Sequence, residues 1–289
     1  MLHFIYNPAA GSGASARARA AIEPLLKDVP HAFHETLGQR GASDIARRLT
    51  AEIPGDADIV AMGGDGTLHE VLNGLADPAR VRLGLIPCGS GNDFAATAGI
   101  PADPVEALGV ILSKTAKFTD YMVCSGVRGI NAIGTGIDVD ILRRYARMKL
   151  LKGSAAYLAS LILTVITYKP RRFSEIIGNF AEPHEALIAC AANGQSFGGG
   201  IPIAPRAEID DGLLDVVIID GIKKPAIPGA FLKLMKRRVL ELRATVFKRQ
   251  EALAVRAESP MPLQIDGEIY EDLPFNVRLV HGELRFYRP

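Results

Sequence analysis

The chain has 289 residues, of which 48% are hydrophobic and 22% are charged, and its formal net charge is +1. This length is enough for two domains of ordinary size, and the balanced charge gives no basis for nucleic-acid binding. The three cysteines, Cys88, Cys124 and Cys190, stand singly without a C-x-x-C pair, which predicts a reduced chain without disulfides.

The first 112 residues alternate short apolar runs with segments of helical period. Strands are predicted at 2–6, 31–36, 59–62 and 82–87, and helices at 17–26, 41–53, 68–75 and 104–112. Such alternation predicts a parallel sheet with helices on both faces, in which ligands bind at the carboxyl ends of the strands. Three of these strands run into glycine-containing turns at that edge, which indicates a nucleotide site.

From about Tyr121 the pattern changes to short strands separated by turns. Strands are predicted at 123–127, 130–133, 172–179, 185–192 and 212–220 and in several runs after 244, and helices at 141–168, broken near Gly153, and at 228–241. The predicted fold is an α/β N-terminal domain with a parallel sheet, residues 1–121, followed by a β-rich C-terminal domain, residues 122–289. The last strands are candidates to return to the first domain.

The most informative loop is Gly63-Gly-Asp-Gly-Thr67, between a buried strand and a helix. Its glycines free the backbone, so that amide N–H groups and the helix N-terminus can face phosphate. Bare phosphate would repel the carboxylate of Asp65, which therefore needs a metal ion, a water molecule or a hydroxyl group as its partner. The alternative interpretation is a tight turn with a helix N-cap.

This loop resembles the signature of the diacylglycerol kinase catalytic family, which includes bacterial lipid kinases, sphingosine kinases and ceramide kinases and is distantly related to NAD kinases. Five further segments resemble motifs of the same family in the expected order, namely Asn7-Pro8, Gly134-Thr-Gly-Ile-Asp138, Asn193-Gly-Gln-Ser-Phe-Gly-Gly-Gly200, Asp210-Asp-Gly-Leu-Leu-Asp215 and Asp266-Gly-Glu268. The resemblance thus covers almost the whole chain.

Other nucleotide-binding classes lack their signatures here. No G-x-x-x-x-G-K-[ST] sequence is present, and the protein kinase set of V-A-I-K, H-R-D and D-F-G is absent too. Gly11 to Ala16 does fit the dinucleotide pattern G-x-G-x-x-A, with Glu35 about 20 residues further on, so this rival stays open. Four residues between the strand and Gly11 count against it.

The resemblance implies which residues bind ATP. These are Asn7, Pro8, Ala9, Ala10, Gly11, Thr36, Gly63, Gly64, Asp65, Gly66, Thr67, Leu68, His69, Ser90 and Asn92. The family usually has Asn where His69 stands and Thr where Ser90 stands. Ser90 keeps the hydroxyl group, whereas His69 could titrate near neutral pH or could simply face solvent from its helix.

The resemblance also implies Mg²⁺. Asp65, Asp93 and Asp138 lie in or beside glycine turns with no obvious arginine partner, so we expect them to hold catalytic Mg²⁺ directly or through water. Alternatively, Asn92-Asp93 only caps the helix from Phe94.

A second, structural Mg²⁺ is implied at the acidic turn. Its ligands would be Asp211 and the backbone carbonyls of Glu208 and Leu213. The alternative is that Asp-Asp-Gly forms a hairpin corner.

Asp266 and Glu268 are the predicted catalytic carboxylates, because the family's catalytic acids fall on this Asp-Gly-Glu segment. A period-2 strand would place both on one face, opposite Leu263, Ile265 and Ile269. The base would orient the lipid hydroxyl and take its proton as the P–O bond forms. The alternative is that Asp266-Gly267 is a type I′ hairpin turn.

Residues 141–174 carry eight basic residues and no acidic one. Leu158, Leu161, Ile162, Val165 and Ile166 form an apolar stripe at helical spacing, while Tyr157, Ser160, Thr164 and Thr167 form an uncharged stripe opposite. Such a helix either packs into the core or lines a lipid-binding cleft. The stretch 154–168 is too short and too polar to span a bilayer.

Taken together, these residues predict a Mg²⁺- and ATP-dependent kinase of a lipid hydroxyl, with diacylglycerol or a similar lipid alcohol as the acceptor at a membrane surface. No basic segment precedes the first strand, so a signal peptide is not expected and the predicted location is the cytoplasm, peripheral on the inner membrane face. A homodimer is compatible with the sequence. The alternatives are an NAD kinase-like enzyme and a non-catalytic lipid or nucleotide sensor of the same fold.

Overall fold

A computed structural model describes residues 1–8, 10–36, 38, 40–113, 115–147, 160, 162–165, 167–257 and 261–289. The chain divides into two compact units. Unit 1 consists of Met1–Tyr121, Ile209–Asp211 and Val280–Pro289, and unit 2 consists of Met122–Glu208 and Gly212–Leu279.

Unit 1 is a parallel sheet with helical connections. Its elements are β1 (Leu2–Tyr6), α1 (Ala14–Ile22), β2 (His31–Glu35), α2 (Gly41–Glu52), β3 (Ala57–Gly63), α3 (Asp65–Gly74), β4 (Val81–Pro87), α4 (Asp93–Thr97) and α5 (Pro104–Leu112). The strand order is β2-β1-β3-β4, with all pairs parallel. The register pairs Tyr6 with Glu35 and Met62, and Gly63 with Pro87, so the carboxyl ends of four strands lie at one edge.

Strands β1, β3 and β4 are buried because their residues are almost continuously apolar, as expected where helices cover both faces, whereas the edge strand β2 is partly exposed. Phe4, Ile59, Met62, Leu83 and Ile86 are fully buried. Helix α5 begins where the sequence supplies both start signals. Pro104 occupies its first turn, and the Asp103 side chain accepts hydrogen bonds from the amides of residues 105 and 106 at 2.9 and 3.1 Å.

Unit 2 is an antiparallel β structure with helices α6 and α7 and a helical segment of which residues 160, 162–165 and 167 are described. Its elements are β6 (Val127–Gly129), β7 (Ala132–Gly136), α6 (Ile137–Arg147), β8 (Arg171–Ile177), β9 (Phe180–Ala192), β10 (Leu214–Asp220), α7 (Ile227–Met235), β11 (Thr245–Gln250), β12 (Ala252–Ala257), β13 (Leu263–Ile265) and β14 (Glu268–Tyr270). The chain enters unit 2 within β5 (Ala116–Cys124) and leaves it within β15 (Asn276–Tyr287).

The strands of unit 2 pair in the order β14-β13-β7-β9-β8-β12-β15, and β9 also pairs with β10, which pairs with β11. The second half of strand β9 is buried on both faces. Ala189 and Ala191 pack into one hydrophobic core, while Ile188, Cys190 and Ala192 pack into another. This period-2 division follows from the alternation of side chains along a strand.

The predicted fold class, an α/β domain with a parallel sheet followed by a β-rich domain, is confirmed, and several element boundaries differ. Helix α1 begins at Ala14 rather than Arg17, directly after Gly13, whose φ of 82° ends the preceding turn. The predicted strand 123–127 is two strands, because Ser125 and Gly126, with φ of 48° and 91°, form a two-residue hairpin turn between β5 and β6.

The two helices predicted in the second half are also corrected. Helix α7 ends at Met235 rather than Glu241, near Arg237, whose φ is 60°. The helix predicted at 141–168 begins at Ile137. Its expected break near Gly153, with Tyr157, Leu158, Leu161 and Ile166, lies outside the described residues.

Candidate active site

Three loops meet at the carboxyl edge of the unit 1 sheet, following β1, β3 and β4. The amide of Cys88, after β4, donates to the carbonyl oxygen of Gly63, at the end of β3, at 2.8 Å. Gly11, in the loop after β1, has a φ of 58°, and a Cβ atom there would lie 2.1 Å from the carbonyl oxygen of Cys88. Any side chain at residue 11 would therefore separate these two loops.

The loops after β3 and β4 touch through their backbones. A Cβ atom on Gly89 would lie 2.5 Å from the Cα of Gly64, and a Cβ on Gly64 would lie 3.0 Å from the Cα of Gly89. A Cβ on Gly63 would lie 2.2 Å from the Oγ1 of Thr67. The glycines thus permit a close approach that leaves backbone N–H groups at the strand ends, an arrangement suited to phosphate.

Asp65 is the first residue of α3, and its side chain caps a different helix. One carboxylate oxygen accepts a hydrogen bond from the amide of Asp93 and the other from the amide of Phe94, each at 3.2 Å. Asn92 does occupy the N-cap position of α4, as the alternative interpretation of Asn92-Asp93 expected, but its side chain makes no capping hydrogen bond. Asn92 has a φ of 55°, and its amide group instead bonds the backbone of Gly89 in both directions, at 3.0 and 2.9 Å.

The remaining predicted ATP residues lie around these loops, except Ala9, which is outside the described residues. Asn7 and Pro8 follow β1, Thr36 follows β2, and Ser90 is exposed after β4. Leu68 is fully buried, and its amide is already bonded to the carbonyl oxygen of Gly64 at 3.1 Å. The leucine side chain is therefore a core residue rather than a surface for ligand.

His69 is buried, with 4% of its surface exposed, and its Nε2 lies 3.4 Å from the side-chain nitrogen of Asn73. The interpretation of His69 as a solvent-facing helix residue is therefore wrong.

A cavity in unit 2 is lined almost entirely by apolar side chains. Its lining consists of Ile137, Asp138, Ile141, Val165, Leu187, Ile188, Phe197, Ile201, Ile203, Ile219, Ile222, Ile227, Ala230, Phe231, Leu234 and Leu242. Asp138 is the one ionisable residue among them. Long apolar side chains with a single polar group are typical of a pocket for an apolar ligand.

Asp138 is only 3% exposed, and among the described residues neither carboxylate oxygen meets hydrogen-bond geometry with a partner. Burial raises the pKa of this carboxyl to about 7, although the Val139 amide and the Gln264 side chain act in the opposite direction. The carboxyl therefore takes up a proton near neutral pH. The assignment of Asp138 to catalytic Mg²⁺ stays a prediction.

Asp266 and Gly267 form the turn between β13 and β14. Both have positive φ, 50° and 93°, and Ile265 pairs with Glu268 across the turn, as in a type I′ hairpin. The expectation that Asp266 and Glu268 lie on one face of a single strand is therefore wrong. Glu268 is exposed and lies opposite Ile265, because the turn reverses the chain between the two carboxylates.

The Asp266 side chain points back onto the segment before β7. One oxygen accepts the amide of Ile130 at 2.9 Å, and the other accepts the amides of Asn131 and Ala132 at 2.9 and 3.1 Å. The carboxylate is thus held in a fixed orientation by three backbone donors. It serves as an anchor of the turn whether or not it also takes a proton from a substrate.

The predicted structural Mg²⁺ set, Asp211 with Glu208 and Leu213, is divided by the unit boundaries, with Asp211 in unit 1 and the other two residues in unit 2. No strand occurs in residues 202–213, all of which are described. The alternative of a hairpin corner at Asp210-Asp211-Gly212 is therefore wrong. This metal site stays a prediction.

Two family models together match nearly the whole chain. The model described as diacylglycerol kinase catalytic domain matches residues 1–124, and that described as YegS C-terminal NAD kinase beta sandwich-like domain matches residues 131–288. The chain belongs to the YegS-like lipid kinase family.

Individual proteins agree with this assignment. A Xanthomonas campestris protein described as a probable YegS-like lipid kinase is 35% identical over 266 residues, covering 84% of this chain and 83% of the relative. A Pseudomonas aeruginosa protein of the same description is 34% identical over 256 residues, covering 84% and 81%.

Solved structures show the same fold. A diacylglycerol kinase structure from Bacillus anthracis aligns with a TM-score of 0.74 at 21% identity, covering 100% of this chain and 96% of the other. An NAD kinase from Archaeoglobus fulgidus in complex with ATP aligns with a TM-score of 0.52 at 14% identity, covering 100% and 94%.

Within this YegS-like chain, sequence reasoning missed several residues that shape the sites. Asn131 receives the amides of Asn193 and Gly194 on its carbonyl oxygen, at 2.9 and 2.8 Å, and a Cβ on Gly194 would lie 1.8 Å from its side-chain oxygen. Phe197 and Phe231 line the apolar cavity. The Asn-Gly pair at 193–194 was the available signal, whereas the cavity residues come from separate elements and leave no local pattern.

The basic region of the YegS-like chain is only partly described. Arg144 donates to the hydroxyl oxygens of Thr164 and Thr167 at 2.9 and 3.2 Å. Thr164 and Ser160, of the uncharged stripe, are buried, whereas Ile162, of the apolar stripe, is 50% exposed. None of the described helices combines the length and the hydropathy needed to cross a membrane.

Proposed function

We propose that this protein is a Mg²⁺-dependent lipid kinase that transfers the γ-phosphoryl group of ATP to a hydroxyl group of diacylglycerol or a similar lipid alcohol. The observation that carries the proposal is the apolar cavity of unit 2. A lipid acceptor must bury hydrocarbon chains, and the cavity offers aliphatic and aromatic side chains from α6, α7 and the strands β9 and β10.

The nucleotide part of the proposal rests on the three loops of unit 1. Gly64 and Gly89 let the backbones of the two loops touch, and backbone amides without side chains beside them can approach phosphate oxygens. Asp65 is fixed beside them by the amides of Asp93 and Phe94. A carboxylate oxygen among phosphate-facing amides suits a hard cation such as Mg²⁺.

When bound, Mg²⁺ with ATP supplies the transferable phosphoryl group and the charge that compensates it. The protein's own residues have the task of orientation. Asp65 holds its carboxylate in one direction, and the glycine loops hold the amides. Because positioning and charge compensation account for most of the catalysis of phosphoryl transfer, fixed groups of this kind are what the reaction requires.

Asp266 is the better candidate for the residue that accepts the proton of the lipid hydroxyl. Three backbone amides fix its carboxylate, whereas Glu268 is exposed on the following strand and free to change rotamer. A base must lie at a defined distance from the hydroxyl when the new P–O bond forms.

The same cavity disfavours an NAD kinase-like function. A dinucleotide acceptor carries phosphates and ribose hydroxyls that need several donors, and Asp138 is the one ionisable side chain among the described residues that line the cavity. Asp138 offers an acceptor and, when protonated, a single donor.

The test is phosphorylation by labelled ATP and Mg²⁺ of short-chain diacylglycerol in mixed micelles, with NAD as the rival acceptor. We expect label in lipid only. Phe231→Asp places a charge in the cavity and should raise KM for lipid at least tenfold while leaving nucleotide binding intact. Leu232→Asp, the same change at an exposed neighbour on α7, is the control. Label in NAD would favour the NAD kinase-like enzyme, and label in neither would favour a non-catalytic sensor.

A further inference from the structure

A cluster of ionisable side chains in unit 2 lies outside the sites described above. Glu175 on β8 pairs directly with Glu182 on β9, and His184 lies two residues further along β9, so all three side chains project from the same face. Their ligand atoms lie within 4.8 Å of one another. We refer to these three residues as the Glu-Glu-His cluster.

The cluster holds more negative than positive charge. Glu175 is fully buried, and its carboxylate lies 2.8 Å from the ammonium group of Lys248, which is also 2.8 Å from Glu182. Asp220 adds a third carboxylate, 3.2 Å from His184. Like charges directly opposite in a sheet destabilise it, and a buried carboxylate needs full compensation. One ammonium group is shared by two carboxylates here, so a divalent cation would neutralise their charge more completely than Lys248 does.

The His184 ring supplies the second observation. Its side chain is only 4% exposed, and Nδ1 bonds to the Asp220 carboxylate at 3.2 Å. A carboxylate accepts, so Nδ1 carries a proton, and Nε2 is the ring nitrogen that a metal ion would use. Nε2 makes no hydrogen bond within the part of the chain that the structure describes, and it lies 3.8 Å from Glu175. A metal ion bound by Nε2 and by the Glu175 carboxylate would take the place of a proton on Nε2.

We infer that the Glu-Glu-His cluster is a binding site for a divalent transition metal ion such as Zn²⁺. One imidazole nitrogen and two carboxylate oxygens are ligands that Zn²⁺ accepts, and water would complete four-coordination. Asp220 corresponds to the carboxylate that orients a metal-bound histidine from its other ring nitrogen. Glu182, nearly half exposed, can adjust to bring the ligand atoms closer.

Lys248 is the competitor for this site. Its ammonium group lies against the same two carboxylate oxygens that the metal would use, so binding requires it to turn outward, where its side chain is already 27% exposed. Metal binding would therefore join β8 to β9 more tightly and release Lys248. This role is structural and independent of the kinase reaction.

The experiment is a Zn²⁺ titration of the full chain against a chromophoric chelator, with millimolar Mg²⁺ present to occupy oxygen-only sites. We expect one equivalent of Zn²⁺ to bind. Glu182→Gln, at an exposed position that should not impair folding, should weaken binding at least tenfold, and Lys248→Met should strengthen it several-fold by removing the competing charge. Glu185→Gln is the matched control, because Glu185 is an exposed carboxylate of β9 that pairs with Arg172.

Two outcomes would overturn the inference. One is the absence of stoichiometric Zn²⁺ binding to the wild-type chain and to Lys248→Met. The other is binding that Glu182→Gln and His184→Gln leave unchanged, since the metal would then lie elsewhere. Co²⁺ absorption in the visible range gives an independent signature of low-coordinate nitrogen and oxygen ligation in the folded protein.

Discussion

Asp65 links two loops that are far apart in the sequence. Its carboxylate receives the first two amides of α4, 28 and 29 residues away, and so it supplies the side-chain capping that Asn92, the N-cap residue, does not. Capping by an adjacent residue can be anticipated from sequence, whereas capping across a sheet edge depends on tertiary structure. The same contact fixes the carboxylate where we propose that Mg²⁺ and ATP bind.

The first prediction separates these two roles of Asp65. Asp65→Asn keeps one acceptor oxygen and should fold, with a loss of about 1 kcal/mol or less in unfolding free energy. It should lose kinase activity by orders of magnitude, because it removes the carboxylate that we propose binds the Mg²⁺ ion whose charge compensates the phosphoryl group. Denaturant unfolding and turnover are measured together. A folded variant with near-normal turnover would remove Asp65 from the proposed mechanism.

Asp138 is the residue whose burial has the clearest consequence for pH. Its pKa rises from the ordinary 3.8 to about 7, chiefly through desolvation, so the folded chain binds this proton more tightly than the unfolded chain. The contribution of the protonated Asp138 to the unfolding free energy is fully present below about pH 4 and is lost as pH rises to about 7. Above that pH the unfolding free energy no longer changes with the titration of Asp138. The change corresponds to about 4 kcal/mol as an upper limit.

The second prediction follows from this decrease of the stabilising contribution of Asp138 with rising pH. The unfolding free energy of wild type, minus that of Asp138→Asn, should decrease between pH 4 and 7 and then level off. Urea unfolding of both proteins across this range measures the difference. A difference that is flat, or that increases with pH, would show that Asp138 is ionised in the folded protein.

At the scale of elements, the turn between β13 and β14 is compatible with both interpretations of Asp266, as a hairpin turn residue and as a catalytic carboxylate. The hairpin turn is real, and the side chain at its first position is nevertheless fixed by three amides of residues 130–132. A turn residue with φ of 50° is tolerated by Asp and Asn, whose short polar side chains adopt this conformation more readily than others.

The third prediction assigns the base. Asp266→Asn should keep the turn and ATP binding while lowering turnover about 100-fold, since an amide cannot take the proton. Glu268→Gln, on the exposed start of β14, should retain most of the activity. Isothermal titration with ATP and single-turnover kinetics distinguish binding from chemistry. Normal turnover in Asp266→Asn would place the base elsewhere.

The contact between the loops after β3 and β4 gives the fourth prediction. Gly89→Ala places a Cβ 2.5 Å from the Cα of Gly64, so the loops must separate, and ATP affinity should decrease at least tenfold. Gly109→Ala is the control in the same unit, because nothing lies within 4 Å of its Cβ position in α5. The control should gain up to about 1 kcal/mol in stability with unchanged affinity.

Elements defined by local pattern were predictable, and those defined by distant contacts were not. Strand β1 and helix α5 occupy the predicted residues because the apolar run and the helix cap that define them consist of neighbouring residues in the sequence. The approach of Gly64 to Gly89 and the cap on α4 join segments separated by about 25 residues. A local sequence pattern does not reveal contacts between segments that far apart. The apolar cavity was missed for the same reason, because its lining comes from α6, α7 and several strands.

At the scale of the whole molecule, we propose peripheral association with the inner face of the membrane. The basic residues Arg147 and Lys169 lie in a groove with Arg143, Arg144 and Arg171. Ile162 and Leu163, on the helical segment that contributes Thr164 to this groove, are 50% and 45% exposed. Exposed apolar side chains close to arginines suit the interface of an anionic membrane.

The fifth prediction tests this association. Binding to vesicles should require anionic lipid and weaken with salt, and Arg147→Glu should reduce it, at roughly 1 kcal/mol per engaged basic residue. Arg47→Glu, at an exposed position on α2 in unit 1, is the control. Co-sedimentation at increasing ionic strength measures both. Vesicle binding that does not depend on salt or on lipid charge would favour the alternative, in which the helix packs into the core and its basic residues do not bind the membrane.

The parallel strand beside β4 has a consequence for how the protein is made. The part of β15 within residues 280–289 provides this strand, including the fully buried Leu284 and Phe286, although the parallel strands β1 to β4 are complete by residue 87. A ribosome adding about 5–20 residues per second needs on the order of ten seconds to translate the intervening chain. During that interval the nascent protein exposes an unpaired strand edge, the kind of surface that chaperones bind and that promotes aggregation.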